Sequence, residues 1–239
     1  MHWAGQPFNI SEINKIAKNH GLKVIEDAAH ALDSSYNGKK IGNHSDFVCF
    51  SFQAIKHLTT ADGGALFCKN ENDLKNAKLL RWFGLDRKYK GSKWEQDINL
   101  SGYKFHMNNI TAVIGLEQMK YIENLTTAHK NNCKIYDKEI SNPKILKLRR
   151  GSNSESSSWI YSILCDTRDD LQDYLKNKNI HSDVVHVRND KYSVFKDFKS
   201  DGLPGLDFFE SRLLNIPSGW WLSNLDRDHI IESINNYGK

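Results

Sequence analysis

The chain has 239 residues, of which 39% are hydrophobic and 26% charged, a composition typical of globular proteins. It has no run of eighteen apolar residues that could span a membrane, and it does not open on a basic and then apolar segment like that of a signal peptide. Its net charge of +4 comes from scattered, interleaved acids and bases, so no nucleic-acid partner is expected.

The cysteines and histidines give no sign of a metal centre. The four cysteines are far apart and form no CxxC pair, and none of the ten histidines pairs with another His or Cys at ligand spacing. Three of the cysteines lie in apolar, strand-like runs. We therefore expect buried thiols in a reducing compartment, the cytoplasm, and no metal site.

The first half of the sequence alternates helical and strand-like segments. Apolar spacing predicts a helix over residues 10–21, with Ser11 as a plausible cap, and a second helix over residues 70–84. Short apolar runs predict three strands, over residues 22–27, 47–52 and 63–69. This order indicates an α/β layered domain with a mostly parallel sheet.

The second half begins with a polar, aromatic segment, residues 85–105, which reads as a long surface loop and hence a candidate functional loop. Then comes a long amphipathic helix over residues 107–140, capped by Asn108 or Asn109, and after it a flexible Ser-rich segment over residues 151–158. A strand is predicted over residues 159–165 and a helix over residues 167–179, with Thr167 and Asp170 in capping-box positions. A final helix is predicted over residues 226–238.

We predict a large domain over residues 1–140 and a smaller α+β domain over residues 141–239.

Three polar groups follow the predicted strands. Asp27 ends the strand "KVIED", and Ser51 and Lys56 follow "FVCF". Ligands of open α/β sheets bind beyond the carboxyl ends of the strands, so these groups can converge on one crevice. A lysine, a carboxylate and a hydroxyl together would suit pyridoxal phosphate (PLP). From spacing alone the alternative stays open: Asp27 caps a loop and Lys56 is solvated.

The segment "VIEDAAHALDSSYNGKKIGNHSDFVCFSFQAIKHLTTADGGAL" resembles the core of the DegT/DnrJ/StrS sugar-nucleotide aminotransferases, PLP enzymes of fold type I. That family carries an acidic pair before Ala-x-His or Ala-x-Gln, then Ser-Phe-x-x-x-Lys, then Thr-Thr-x-x-Gly-Gly. "SGYKFHMNNITAVIGLEQM" and "RLLNIPSGWWLSNLDRDHIIESI" resemble its later segments, so the similarity covers nearly the whole chain. The resemblance implies a partial three-layer PLP-transferase domain followed by the smaller domain.

The resemblance also implies roles for individual residues. Lys56 matches the lysine that binds the cofactor covalently and acts catalytically, Asp27 the acid on the ring nitrogen, and His30 the residue beside the phenolic oxygen. Ser51 matches the serine that holds the phosphate. Lys104 stands where many relatives have an asparagine that reaches the cofactor phosphate in the neighbouring subunit, so this chain departs from the family there. It departs again at His106, where relatives frequently have an arginine.

In the small domain, His186 and Arg188 lie in the region that contacts substrate in relatives, and an ordinary polar loop remains the alternative for them.

The function implied is PLP-dependent transfer of an amino group from an amino acid, glutamate by analogy, to a nucleotide-linked keto-deoxy sugar. The product would serve amino-sugar and polysaccharide biosynthesis, such as that of lipopolysaccharide O-antigen. Some relatives replace the lysine with histidine and dehydrate sugars, so Lys56 favours aminotransfer. A homodimer is the expected assembly.

Family members begin with roughly another third of chain, which supplies a phosphate-binding turn at a helix N-terminus. The second hypothesis is therefore a truncated, non-catalytic fragment, or one half of a split enzyme that works with a separate N-terminal chain.

Overall fold

The computed structural model describes residues 1–92, 94–198 and 202–239. Its α-helices are α1 Ile10–Asn19, α2 Glu71–Leu80, α3 Asn109–Met119, α4 Ile122–Glu139, α5 Arg168–Asn177, α6 Pro204–Arg212 and α7 Asn224–Asn236. Its strands are β1 Ile25–Asp27, β2 Ser35–Tyr36, β3 Lys39–Lys40, β4 Phe47–Ser51, β5 Gly64–Cys68, β6 Leu146–Lys147, β7 Ser154–Glu155, β8 Tyr161–Leu164 and β9 Leu213–Ile216. None of the helices in these ranges is long and apolar enough to cross a membrane.

The predicted mixture of helices and strands is confirmed, but the sheet next to the candidate site is mixed rather than mostly parallel. Its strand order is β1-β4-β5; β1 runs parallel to β4, and β5 runs antiparallel to β4. A parallel return needs a crossover connection, usually a helix. The twelve-residue link between β4 and β5 contains no helix and turns back through Ala61 and Gly63, both at positive φ. β5 therefore re-enters in the opposite direction.

Two buried hydrophobic clusters support the molecule. The first lies on one face of the β1-β4-β5 sheet and includes Ile10 of α1 and Val48 of β4. The second packs α4, α5 and α7 against the antiparallel sheet β6-β8-β9, with Tyr136, Leu171 and Ile234 fully buried. The predicted domain boundary between residues 140 and 141 stays a prediction. Cys133 and Tyr136, which precede it in the chain, already pack in the second cluster.

The long helix expected over residues 107–140 is two helices. Asn108 caps α3 as predicted, because its side chain accepts a hydrogen bond from the Thr111 amide at 3.0 Å. At the other end, the amides of Lys120 and Tyr121 bond to carbonyls three residues back, and this tighter turn ends α3 before α4 begins.

The N-terminal caps predicted for α1 and α5 are not the ones that the structure shows. Asn9, not Ser11, caps α1, accepting from the Glu12 amide at 3.3 Å. The Thr167 side chain caps nothing, because its hydroxyl is 2.7 Å from the Tyr237 hydroxyl.

The Ser-rich segment predicted to be flexible is exposed at its start but paired and buried at its end. Its residues Ser154–Glu155 form β7, which pairs with β2, and Ser156, Ser157 and Ser158 are inaccessible to solvent apart from a few per cent of their surface. The Ser157 amide donates to the Ser34 hydroxyl at 2.9 Å, so this segment obtains its hydrogen bonds from the first half of the chain.

Candidate active site

Strand alternation places an acid on each face of β1. Glu26 is completely buried and its carboxylate is 2.7 Å from the His2 ring, whereas the next residue, Asp27, is exposed on the opposite face. Asp27 pairs in register with Cys49 of β4, and Ser51 lies two residues further along the same face. The Asp27 carboxylate and the Ser51 hydroxyl thus share the carboxyl ends of two adjacent parallel strands, as the sequence predicts.

Lys56 follows in a hydrogen-bonded turn. Its amide donates to the Gln53 carbonyl at 2.9 Å, and the Thr60 amide closes the turn on the Phe52 carbonyl at 2.9 Å. Burial lowers the pKa of the Lys56 amine, and the negative charge of Asp27 opposes part of that change. The amine therefore lies within reach of the Asp27 charge, but the two groups form no ion pair in the described part of the chain.

Trp159 is the residue at this site that sequence analysis did not single out. Its ring centre lies 3.9 Å from the Lys56 amine and 3.8 Å from the ring centre of His30, on which it stacks at 25°. Its indole N–H donates to the Ile55 carbonyl at 3.0 Å. No local pattern could have found it, because Trp159 is more than a hundred residues away from Ile55 in sequence.

His30 is buried in a fixed orientation. Its Nδ1 accepts a hydrogen bond from the Ala4 amide at 3.3 Å, so the neutral ring carries its proton on Nε2. Burial lowers the pKa of His30 to about 3, assisted by the positive charges of Lys56 and His186. His30 is thus a neutral hydrogen-bond donor that packs, as the Lys56 amine does, against the Trp159 ring.

The two predicted substrate residues differ in their surroundings. His186 joins the group: its ring centre is 5.3 Å from that of His30, and its Nδ1 accepts from the Trp3 indole at 3.3 Å. Burial and the Lys56 charge lower the pKa of His186. The Arg188 guanidinium instead donates to Asp190 at 2.6 and 2.7 Å and also contacts Asp207, which raises its pKa.

Lys104 lies apart from this group. It is exposed and pairs with Trp82 through a backbone bridge, while the indole of Trp82 packs edge-on against His106 at 4.0 Å. Within the described ranges, Lys104 makes no hydrogen bond or ion pair with the residues around Lys56. Those ranges also contain no group of three or more His, Cys, Asp or Glu side chains that could hold a metal ion.

The residues around Lys56 fit PLP. The lysine amine has a lowered pKa and lies within reach of the Asp27 charge, and a neutral imidazole donor packs on the same tryptophan ring. The Ser51 hydroxyl oxygen accepts from the Gln53 amide at 3.3 Å; no acceptor is assigned to its hydrogen among the described residues, which suits a phosphate oxygen.

Comparison with known proteins shows the family of the chain. The model of the DegT/DnrJ/EryC1/StrS aminotransferase family matches residues 1–235. The sugar aminotransferase CalS13 of Micromonospora echinospora is 30% identical, with a TM-score of 0.93 over 98% of this chain and 65% of that one. Uncharacterized protein MJ1066 of Methanocaldococcus jannaschii is 31% identical over 98% of this chain.

Spr1654 of Streptococcus pneumoniae, solved in a PLP form, is 26% identical with a TM-score of 0.86 over 98% of this chain and 66% of that one. A PMP form of the same protein also matches. The chain spans 64% of the length of MJ1066 and about the same share of the solved structures.

Proposed function

Because the chain belongs to the DegT/DnrJ/EryC1/StrS aminotransferase family, we propose that it acts as a PLP-dependent sugar aminotransferase. The observation that carries this proposal is that the Asp27 carboxylate and the Ser51 hydroxyl lie on one face at the carboxyl ends of β1 and β4, while the Lys56 amine, whose pKa burial lowers, lies within reach of the Asp27 charge. When bound there, PLP supplies an electron sink for bond breaking at the donor amino acid.

Lys56 is the catalytic residue. A lysine is nucleophilic and basic only when it is neutral, and its lowered pKa increases the neutral fraction near neutral pH. With PLP bound, the neutral Nζ would accept the proton from the α-carbon of the donor and deliver it to the cofactor, which would then carry the amino group. The Trp159 ring beneath it limits where the amine can move.

Asp27, His30 and Ser51 would bind and orient the cofactor. The Ala29 amide donates to Oδ1 of Asp27 at 3.0 Å and fixes this carboxylate, which would keep the ring nitrogen of the cofactor protonated. His30 would donate from Nε2 to its phenolic oxygen, and Ser51 would donate to its phosphate.

The substrates we propose are glutamate as donor and a nucleotide-linked keto-deoxy sugar as acceptor, for amino-sugar and polysaccharide biosynthesis such as that of O-antigen. His186 is the predicted contact for them, and its ring packs near those of His30 and Trp159. Arg188 stays a predicted substrate contact, although a substrate anion would compete with Asp190 and Asp207 for it.

We propose a homodimer in which Lys104 reaches the partner's phosphate. Helix α3 supports this assembly, because its apolar side chains point in all directions and only Gly115 is buried; a helix of that kind needs a covering surface. A separate N-terminal chain is the alternative partner. The outer edge of β1 supports it, because within the described ranges its only backbone bond is from the His2 amide to the Asp27 carbonyl.

All four cysteines are free thiols, two of them buried, which supports our proposal of a reducing compartment, the cytoplasm.

The direct test is covalent capture. The chain is mixed with PLP, the visible spectrum is recorded, borohydride is added, and the modified residue is mapped by mass spectrometry. We expect an absorbance band and a modification at Lys56 that Lys56→Arg abolishes, with Lys130→Arg as the matched control. A spectrum without a band, or labelling at a different lysine, contradicts the proposal.

A further inference from the structure

A short turn that precedes α1 contacts two imidazoles of the candidate site. It is formed by Trp3–Gly5, and Ala4 within it has a φ of 57°. The backbone amide of Ala4 donates to Nδ1 of His30 at 3.3 Å, and the indole N–H of Trp3 donates to Nδ1 of His186, also at 3.3 Å. Consecutive residues of one turn therefore hold two histidine rings, whose centres lie 5.3 Å apart.

The two hydrogen bonds determine where each imidazole carries its proton. An N–H group can only donate, so each Nδ1 is an acceptor and each neutral ring has its proton on Nε2. Burial and the positive charge of Lys56 lower the pKa of both histidines, that of His30 to about 3. His30 and His186 are therefore two neutral Nε2–H donors on neighbouring rings.

Both Nε2 atoms are available to a bound molecule. Neither has a hydrogen-bond partner among the described residues, and neither is completely buried, since His186 is exposed and the Nε2 of His30 keeps contact with solvent. An N–H donor without a partner suits an oxygen acceptor. His30 is the proposed donor to the phenolic oxygen of the cofactor, so the donor of His186 is left for an oxygen of the substrate.

Trp3 is itself held in place from two sides. Its ring meets that of Phe209 in α6 edge-on at 5.5 Å. The residue before it, His2, donates from its amide to the Asp27 carbonyl at 2.9 Å, which joins the turn to the end of β1. His186, in contrast, is exposed, and an exposed side chain loses rotational freedom when a ligand fixes it. The bond from Trp3 removes part of that cost before the ligand binds.

From these observations we propose that Trp3 is the positioning residue of His186. Its indole N–H orients the imidazole and keeps Nε2 protonated, as a donor to a carboxylate or carbonyl oxygen of the substrate. The Ala4 amide has the same role towards His30 at the cofactor. This inference rests on the proposed function, because it takes His186 as a substrate contact. Trp3 acts through the histidine and is not itself a catalytic residue.

The first measurement is the pH midpoint of His186, followed by NMR of its ring protons in the 239-residue chain without added PLP. Its resonance is the one that His186→Gln removes. A proton that binds to Nδ1 must displace the Trp3 N–H, so this hydrogen bond favours the neutral ring. Trp3→Phe keeps an aromatic ring but should raise the midpoint by about one pH unit, which corresponds to one hydrogen bond.

The shift can be attributed to Trp3 because the charges near His186 stay the same. In the described part of the chain, Lys56 and His30 are the titratable groups that face its ring from the elements packed against it. Arg188, on the same segment as His186, is already paired with two acids. All three residues are retained in Trp3→Phe.

Two further variants separate the hydrogen bond from packing. Trp94→Phe, at a tryptophan that is 95% exposed, is the matched control and should leave the midpoint unchanged. Trp3→Leu removes the ring as well as the N–H and should raise the midpoint as Trp3→Phe does. A midpoint that Trp3→Phe leaves unchanged, whatever Trp3→Leu does, would show that Trp3 only packs and would overturn the proposal.

The second measurement tests whether Trp3 acts through His186. The PLP-loaded chain is titrated with glutamate, and the change in visible absorbance gives the half-saturating concentration. His186→Phe should raise this concentration about tenfold and Trp3→Phe about threefold. In a chain that already carries His186→Phe, Trp3→Phe should add no further loss, because no imidazole is left to orient. Additive losses would overturn the positioning role.

The two proposals can fail separately. If Trp3→Phe raises the midpoint but PLP is not captured at Lys56, or glutamate leaves its spectrum unchanged, the positioning role stands and the aminotransferase proposal falls. If PLP is captured and glutamate reacts but the midpoint does not move, the positioning role is wrong and the aminotransferase proposal remains.

Discussion

The Ser157 hydroxyl donates a 2.9 Å hydrogen bond to the backbone carbonyl of His30, and both residues are buried. This bond joins the Ser-rich segment to the loop that carries the His30 imidazole. The Gly5 backbone also packs here, since a Cβ on Gly5 would lie 2.6 Å from the Ser157 hydroxyl oxygen. A serine in this segment therefore supports the active-site loop.

Ser157→Ala should lower the free energy of unfolding by about 1–2 kcal/mol, because it leaves the buried His30 carbonyl without its donor. Urea denaturation followed by circular dichroism measures the change. Ser152→Ala, at an exposed position in the same segment, is the control. Equal stabilities for the two variants would contradict the supporting role of Ser157.

Trp159 should contribute to cofactor binding through its ring. We expect Trp159→Leu to weaken PLP binding about tenfold, since it removes the aromatic surface on which His30 stacks and against which Lys56 packs. Trp159→Phe keeps an aromatic face and should retain most of the affinity. Titration of the visible absorbance with PLP measures both. Identical losses for Leu and Phe would show that the ring itself does not matter.

Asp27→Asn should change two reactions of Lys56 in opposite directions. The Asp27 charge raises the pKa of Lys56, so its removal should lower that pKa further and increase general amine reactivity at a given pH. PLP capture should fall, because the partner of the ring nitrogen is lost.

The first quantity is the pH midpoint of Lys56 modification by trinitrobenzenesulfonate, read by mass spectrometry, and the second is borohydride capture. Asp46→Asn, at an acid that pairs with Lys23, is the control. A midpoint that moves upward would contradict the electrostatic coupling of Asp27 and Lys56.

Stability should fall in mild acid because of three buried neutral histidines. Burial lowers the pKa of His30 and His57 to about 3 and that of His129 to about 4, from an ordinary 6.5. Each can bind a proton in the unfolded chain below pH 6.5 but not in the folded one. Unfolding therefore becomes easier as the pH falls from 6.5 towards 4, by about 2 kcal/mol per histidine at pH 5.

Denaturant unfolding at pH 7, 6 and 5 measures this slope. His129→Asn should reduce it, because asparagine can still donate to the Ser158 carbonyl but does not titrate. His20→Asn, at an exposed histidine, should leave the slope as it is. A slope that His129→Asn leaves unaltered would assign the acid sensitivity to other groups.

Self-association should depend on α3. Val113 is 65% exposed on this apolar helix, and Val113→Asp should convert a dimer to a monomer without lowering monomer stability, since no buried contact is lost. Sedimentation velocity measures the mass. Leu225→Asp, at a leucine of α7 that is 82% exposed, is the matched control. A Val113→Asp variant that sediments like the unmodified chain would move the interface elsewhere.

The candidate site residues that follow strand ends could be predicted from the sequence. Asp27 and Ser51 end strands, and Lys56 follows in the next turn, so local pattern and topology bring them together. The residues that pack around these groups could not be predicted from the sequence. Trp159 and Ser157 reach the site, and His2 reaches the opposite face of β1, through contacts with residues far away in the chain, and no local spacing signals such contacts.

The same limit explains the errors in the fold. Serine composition resembles a flexible linker, but the partners that bury Ser157 lie in the first half of the chain. The direction of β5 depends on whether the preceding link forms a helix, and its positive-φ turn is not evident from apolar periodicity.

The buried His2–Glu26 pair has a consequence for which acid faces Lys56. Glu26 and Asp27 are neighbours, and sliding β1 along β4 by one residue would exchange them, sending the longer carboxylate towards the amine and the shorter one into the core. Only the observed alignment gives the inward acid an imidazole. A one-residue shift of β1 would therefore bury a charge without its partner. The buried Glu26 thus ensures that the acid exposed on the other face is Asp27.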